Sequence, residues 1–417
     1  MKKLYLMLSM LFAFGTAANA VPAKKLQKVI TLANGAKVSV ELRGDEYLSW
    51  WEGADGTAYR ATADDAVFEA FDLEAQKPAA AARRAKTEQG RAARLARVNN
   101  SLKGVDDKMR GLGGEHITYK GVKKGLVVLV DFKNKKFADG HDLEYYKQII
   151  NGKDFSDTEE GYVGSVRDYF LAQSNGQFEL DFDVVGPVTM SQNYGVYGRD
   201  GNYQKDENVY KMIQEACDGI QDQVNLADYD WDGDGEADQV FFLYAGLGQA
   251  SGGSASTIWP HESQLRYWPC GVLSYSTGKV NTYACANELQ PTAQNSSNYI
   301  SAGIGTICHE FSHCLGFADM YDTAGQNGYG MTVFDVMDQG SYNGNGFVPC
   351  NYTAFERIYA GWVEPIELES PATVKDMKSV SDYGRPFIMY NFKNTNEYFL
   401  MENRQNTGWD KELYGCN

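Results

Sequence analysis

The sequence predicts an α+β protein: a domain with a mixed sheet and one helix of polar residues, preceded by a small β-rich unit and followed by a short β segment. Three observations predict it. Residues 21–59 alternate between apolar and polar side chains, with turn pairs at Asn34-Gly35 and Asp55-Gly56, the pattern of two hairpins. From about residue 116 strand signals and a helix follow, and residues 240–244 form a short apolar strand. Ile304, Ile307, Phe311 and Leu315 recur at helical spacing and would form the packed face of a helix.

Residues 1–20 read as a secretory signal. Lys2 and Lys3 are its charged start, residues 4–14 its apolar stretch, and Ala18-Asn19-Ala20 its small-residue cleavage site. The apolar stretch is too short to span a bilayer and stay there. No cysteine follows it to carry a lipid. The protein is therefore expected to be secreted or periplasmic, with no membrane span. Between residues 74 and 110 the composition shifts to alanine and basic residues, among them Arg83, Arg84, Arg91, Arg94 and Arg97. This segment reads as an exposed helix or a mobile connector, open to trypsin-like cleavage.

An acidic loop precedes the apolar strand. Asp228, Asp230, Asp232, Asp234 and Asp238 surround the glycines Gly233 and Gly235, so oxygen ligands fall at alternate positions round a tight turn. That is calcium chemistry. Phe241 stands where an EF-hand would need its closing glutamate, so the reading is a structural calcium loop of another kind. A solvated acidic turn is its alternative.

The helix carries the densest chemistry. His309 and His313 are four residues apart, so one helix face presents both imidazoles to one metal ion. Glu310 lies one residue along, beside the metal, where a general base stands. Gly316 can take the backbone conformation that ends the helix and turns the chain back. The turn would bring in Asp319 as third ligand and leave a fourth position for water. Zn2+ suits that donor set.

A leading unit, a protease-sensitive connector and a zinc-binding domain form the layout of a zymogen. Residues 21–115 are accordingly read as a propeptide, 116–365 as the catalytic domain and 366–417 as a C-terminal β segment. No cysteine lies between the signal and Cys217, which excludes a cysteine latch on the metal. Asp45 or Glu46 could replace the catalytic water instead, with steric blocking as the alternative.

Beyond the helix, Phe334-Asp335-Val336-Met337-Asp338-Gln339-Gly340-Ser341-Tyr342 resembles the methionine turn of the metzincin clan. More narrowly, Asp319-Met320-Tyr321-Asp322 resembles the immune-inhibitor-A family of secreted bacterial metallopeptidases, in which an aspartate is the third ligand. The resemblance implies a metzincin-like fold and hydrolysis of internal peptide bonds in proteins or peptides. It makes Met337 a soft apolar floor under the site. Tyr342 becomes a candidate to stabilise an oxyanion, although it lies five residues past Met337, a poor spacing for that role. Residues 125–132 (GLVVLVDF) look like the first strand of the catalytic domain, and residues 165–170 with Ser174-Asn175-Gly176 like its helix and turn. Ile258-Trp259-Pro260-His261 is also family-like; His261 either lines the cleft or packs inside. Residues 397–405 resemble a later strand. Family members usually continue past Thr407-Gly408-Trp409-Asp410, so the chain reads as a truncated product or a fragment.

A net charge of −16 argues against nucleic-acid binding and fits an exported, monomeric enzyme that takes divalent cations. All seven cysteines lie at or after Cys217. Export permits disulfides, and Cys270 with Cys285, flanking a hairpin-like excursion, is the first pair to expect. Cys308 and Cys314 point to different sides of the helix and read as core residues. Two other functions remain open. One is a secreted binding or adhesion protein with a structural metal, against which Glu310 argues, because a structural site needs no base. The other is a metal-dependent hydrolase of a different bond, such as a cell-wall amide.

Overall fold

Five consecutive apolar residues, Leu126, Val127, Val128, Leu129 and Val130, are all at most 1% exposed, which requires a strand covered on both faces. The computed structural model describes residues 21–62, 65–101, 119–201, 205–292, 296, 298–323 and 328–414. The expected signal (1–20), the expected boundary at 115/116 and Cys416 lie outside these residues, as do the side chains of Arg94 and Arg97.

The N-terminal unit is an antiparallel meander of β1 (Gln27–Thr31), β2 (Lys37–Gly44), β3 (Ser49–Gly53), β4 (Ala58–Ala61) and β5 (Phe68–Ala70). Its first and third connections turn at Asn34-Gly35 and Asp55-Gly56, where both glycines have positive φ. Helix α1 (Leu73–Ser101) follows. The expectation of a solvated connector is corrected here for the described side chains. Ala80, Thr87 and Arg91 are buried, because α1 packs on Tyr47 of the leading unit and on the edge strand of the main sheet (residues 261–264).

The main sheet uses β6 (Gly121–Asp131), which continues through α2 (Leu143–Asn151) and α3 (Val166–Gln173) to β7 (Phe178–Thr189). Ser165 caps α3 in a capping box with Asp168, satisfying backbone N–H groups at the helix start. Then come α4 (Tyr194–Tyr197), α5 (Val209–Ile220), β8 (Glu236–Ala237), β9 (Val240–Leu247) and β10 (His261–Gln264). The excursion of β11 (Leu273–Tyr275) and β12 (Gly278–Val280) leads to β13 (Thr282–Pro291), β14 (Tyr299–Ser301) and α6 (Gly305–Cys314). Strand order is β10-β13-β9-β6-β7, with β14 also paired to β13. The β7, β6, β9 and β13 pairings are parallel, whereas β10 is antiparallel to β13 and forms an edge. The sheet is mixed, as the α+β expectation requires.

Alternation along these strands feeds two cores. Val127, Leu129, Phe241 and Leu243 face a core shared with Ile149, Phe170, Ile307 and Phe311. Leu126, Val128, Val240 and Phe242 face the other, with Met212 and Ile213 of α5. Each such side chain contributes roughly 1.5–3 kcal/mol by leaving water. The first core anchors α6: the Phe311 ring lies 5.1 Å from that of Phe170 and 5.4 Å from that of Phe182.

After α7 (Ala354–Tyr359) the strands β15 (Ile366–Glu367), β16 (Phe387–Asn391) and β17 (Asn394–Met401) make a separate small sheet. The chain then returns to the catalytic part. Trp409 joins the first core with its ring 5.1 Å from that of Tyr169, and Asp410 accepts from the Asn351 N–H at 2.9 Å. The end of the predicted β segment is thus part of the catalytic core. No helix among the described residues is long and apolar enough to cross a membrane.

Candidate metal centre and active-site cleft

Helix α6 is buried on every side. Its polar side chains must therefore meet partners, and they meet each other. The Nε2 atoms of His309 and His313 are 3.2 Å apart. Asp319 Oδ1 lies 3.2 Å from the first and 3.4 Å from the second. Both Nδ1 atoms lie against backbone carbonyls, His309 on Val336 O at 2.7 Å and His313 on Phe317 O at 2.8 Å. A carbonyl can only accept, so each Nδ1 carries the proton and each Nε2 turns a lone pair inward. Two lone pairs and a carboxylate oxygen then converge in a site without solvent access, an arrangement that a cation relieves. Tetrahedral zinc at about 2.0–2.1 Å from each ligand would set them about 3.3–3.4 Å apart. The donor set fits the ion.

Local sequence makes this geometry. Gly316 has φ +93°, ending α6 after Leu315, and the Phe317 N–H returns to Ser312 O at 3.1 Å. One turn therefore supplies both the carbonyl that fixes His313 and, two residues later, the carboxylate of Asp319. The segment around Met337 closes the other side. The Met337 N–H donates to Asp335 Oδ1 at 2.8 Å, the Met320 N–H donates to Met337 O at 2.9 Å, and the Met337 side chain is fully buried.

Glu310 groups with the two imidazoles. Burial pushes its carboxyl up to about 8, with His309 opposing the shift. Oε1 accepts from the backbone N–H of Val21 at 2.9 Å, and Oε2 has no protein partner. Val21 begins a segment that runs along the cleft. Trp259 Nε1 donates to Val21 O at 3.2 Å, the Tyr342 hydroxyl to Pro22 O at 2.9 Å and Gln339 Nε2 to Ala23 O at 3.1 Å. Tyr342 lies in the first part of a 3-10 segment at residues 339–346, and its hydroxyl reaches the Val21 segment at Pro22. That residues 21–24 lie here had no signal in their sequence.

The two acidic candidates in the leading unit differ. Asp45 is taken up locally, accepting from the Tyr47 and Leu48 N–H groups and pairing with Arg84. Both oxygens of Glu46 are buried without a protein partner. Burial, then Asp45 and Asp319, raise its carboxyl well above the usual range.

His261 packs inside, with Nδ1 2.7 Å from Trp259 O and Nε2 2.9 Å from the Tyr283 hydroxyl. Of the five acidic-loop residues, Asp230, Asp232 and Asp238 bring ligand atoms within 4.8 Å of one another. Asp228 instead accepts from Asn225 Nδ2 at 3.0 Å, and Asp234 from the Glu236 N–H at 2.8 Å. The expected Cys270–Cys285 pair is corrected: both are free thiols. Cys285 lies mid-strand on β13 opposite His261, while Cys270 sits in the loop before β11. Cys308 and Cys314 are core residues, as their positions on the helix predicted.

An α+β domain that aims two imidazoles, a carboxylate and a buried glutamate at one point has the make-up of a metallopeptidase catalytic domain. Comparison with known proteins agrees. Two curated relatives are the "Pre-pro-metalloprotease PrtV" of Vibrio cholerae, 26% identical over 318 residues, and "Immune inhibitor A" of Bacillus thuringiensis subsp. alesti, 25% identical over 295 residues. The alignments cover 64% and 59% of this chain but 34% and 41% of those proteins, so the chain spans well under half of either. Residues 120–363 match the family described as "Immune inhibitor A peptidase M6, catalytic domain", and the chain belongs to that family.

The turn after α6 generates one expectation. An added Cβ at φ +93° is disfavoured, so Gly316→Ala is expected to destabilise the protein by about 1–2 kcal/mol. Urea unfolding measures the loss, and an unchanged midpoint would mean that the turn relaxes without strain.

Proposed function

We propose that this chain is a secreted or periplasmic zinc-dependent endopeptidase, made as a latent precursor. The observation that carries the reading is the set of three acceptor atoms 3.2–3.4 Å apart, with Glu310 beside them. His309, His313 and Asp319 would hold the metal. When bound, zinc would supply a Lewis acid and make water nucleophilic near neutral pH. Glu310 would take the proton of the attacking water and deliver it to the departing amine. The Tyr342 hydroxyl, which donates to the peptide carbonyl of Pro22, is suited to donate to a substrate carbonyl in the same place.

Casein cleavage by the processed protein and by Glu310→Ala, with bound zinc assayed in both, tests the reading. The expected result is zinc in both and cleavage by the parent alone, with the variant slower by about 100-fold or more. Zinc in both with cleavage by neither would favour the binding protein or a hydrolase of another bond.

Latency follows from the Val21 segment. Cleavage of the signal after Ala20 would make Val21 N the α-amino group, a charged donor on Glu310 in place of an amide. A tethered segment acts at an effective concentration on the order of millimolar, enough to exclude most substrates. The full chain is expected to cleave at least about tenfold more slowly than the same chain after limited trypsin digestion and trypsin inhibition. Equal rates would remove the propeptide reading.

Asp230, Asp232 and Asp238 are proposed to hold a structural calcium ion that ties their loop to β9. Calcium is expected to raise the melting temperature of the parent, by an amount equivalent to about 2.7 kcal/mol at a hundredfold excess over Kd, and to leave Asp230→Asn unmoved. Equal shifts in both would reject the site.

A further inference from the structure

One buried ion pair joins the leading unit to the catalytic part. Arg91 of α1 donates to Glu262 Oε2 of β10 at 2.5 Å, with side chains 7% and 2% exposed. Glu262 lies on the edge strand that packs against α6. The pair therefore stands on the strand that adjoins the helix carrying His309, Glu310 and His313.

The surroundings are built for a cation. A cavity of about 140 Å³ adjoins Glu262; Asp206, His261, Tyr267 and Trp268 help to line it from one side, and Arg83 and Lys86 of the leading unit from the other. Asp206 is 3% exposed; its Oδ2 accepts from the Trp259 N–H at 3.0 Å, and its Oδ1 has no protein partner. Lys205 is engaged elsewhere, 3.1 Å from Asp200 and 2.5 Å from Gln249 Oε1. His261 has both nitrogens in hydrogen bonds, and burial lowers its pKa, which keeps it neutral. Two carboxyls and two aromatic walls suit a guanidinium or ammonium group.

The approach of α1 is equally specific. A Cβ at Gly90 would come within 2.4 Å of the Tyr267 hydroxyl and 2.6 Å of Gln264 Oε1, so a larger residue there would require those side-chain ends to shift. Glycine inside a helix is unfavourable by about 1 kcal/mol against alanine in an otherwise alanine-rich segment, and it sits next to the arginine that makes the contact. When α1 leaves, Glu262 loses its cation. A buried carboxylate without a partner is strongly unfavourable, and an incoming basic side chain would restore the pair.

We infer that Glu262 is the charge partner of a substrate subsite for arginine or lysine beside the scissile bond, and that Arg91 fills this subsite in the latent chain. The inference rests on the endopeptidase reading above and adds the substrate class to it. Loss of the cation leaves the site's polar groups unpaired, so discrimination against an isosteric neutral residue should reach about 100-fold or more.

The test uses the full chain activated by limited trypsin digestion, with the trypsin then blocked by a serine-protease inhibitor. Matched fluorogenic peptides carry arginine, norleucine or glutamate at each of the positions flanking the cut. The parent is expected to show a kcat/KM for the arginine peptide about 100-fold above that for norleucine at one position, with glutamate the poorest. Glu262→Gln should bring the arginine-to-norleucine ratio below about tenfold. Casein cleaved without a basic preference at any position overturns this inference alone and needs no variant. A preference that survives unchanged in Glu262→Gln, with zinc retained, also overturns it. If neither casein nor any peptide is cleaved, the endopeptidase reading fails and takes the subsite with it.

Discussion

Three acceptor atoms face one another at a point buried from solvent, and most of the catalytic part can be understood as holding them there. Nε2 of His309, Nε2 of His313 and Oδ1 of Asp319 repel one another unless a cation lies between them. The protein imposes that geometry through backbone atoms rather than mobile side chains. Val336 O and Phe317 O fix the ring orientations and leave each imidazole its inward lone pair. Those carbonyls are held in turn by the segment around Met337 and by the left-handed turn at Gly316. Rigidity of this kind keeps ligand atoms within a few tenths of an ångström of a productive arrangement.

The same need for rigidity explains why α6 is wholly buried. Phe311 anchors it between Phe170 and Phe182, and the core beneath extends through β6 and β9 to Trp409 near the end of the chain. Residues more than 200 positions apart therefore support one helix. The salt bridge of Arg404 with Asp410, which also accepts from the Asn351 N–H, fastens that returning segment to the catalytic part.

The leading unit meets the site in three places, each by a different interaction. Residues 21–23 enter through hydrogen bonds of their backbone, the edge strand β10 receives α1, and the Glu46 carboxyl is buried without a protein hydrogen-bond partner. Val21 and Trp259 share one apolar cluster with the meander, so the leading unit buries part of the cleft's own surface. Its contacts are main-chain hydrogen bonds, an apolar cluster and one buried ion pair, Arg91 with Glu262.

The sequence by itself determined what depends on neighbours along the chain. The i, i+4 histidines, the adjacent glutamate and the glycine three residues on are local relations that any helix converts into one face and one turn. The hairpin turns at Asn34-Gly35 and Asp55-Gly56 were legible for the same reason. Tertiary structure alone decided what meets across the chain. Glu310 meets Val21 289 residues away, and Glu262 meets Arg91 at a separation of 171. An alanine-rich basic helix reads as solvated because nothing in its composition names the acid it will find. Cys270 and Cys285 read as partners from spacing, yet strand register sends Cys285 to His261 instead. Local spacing encodes the clustered polar groups of α6; what packs over them is encoded in long-range contacts, which no periodicity reports.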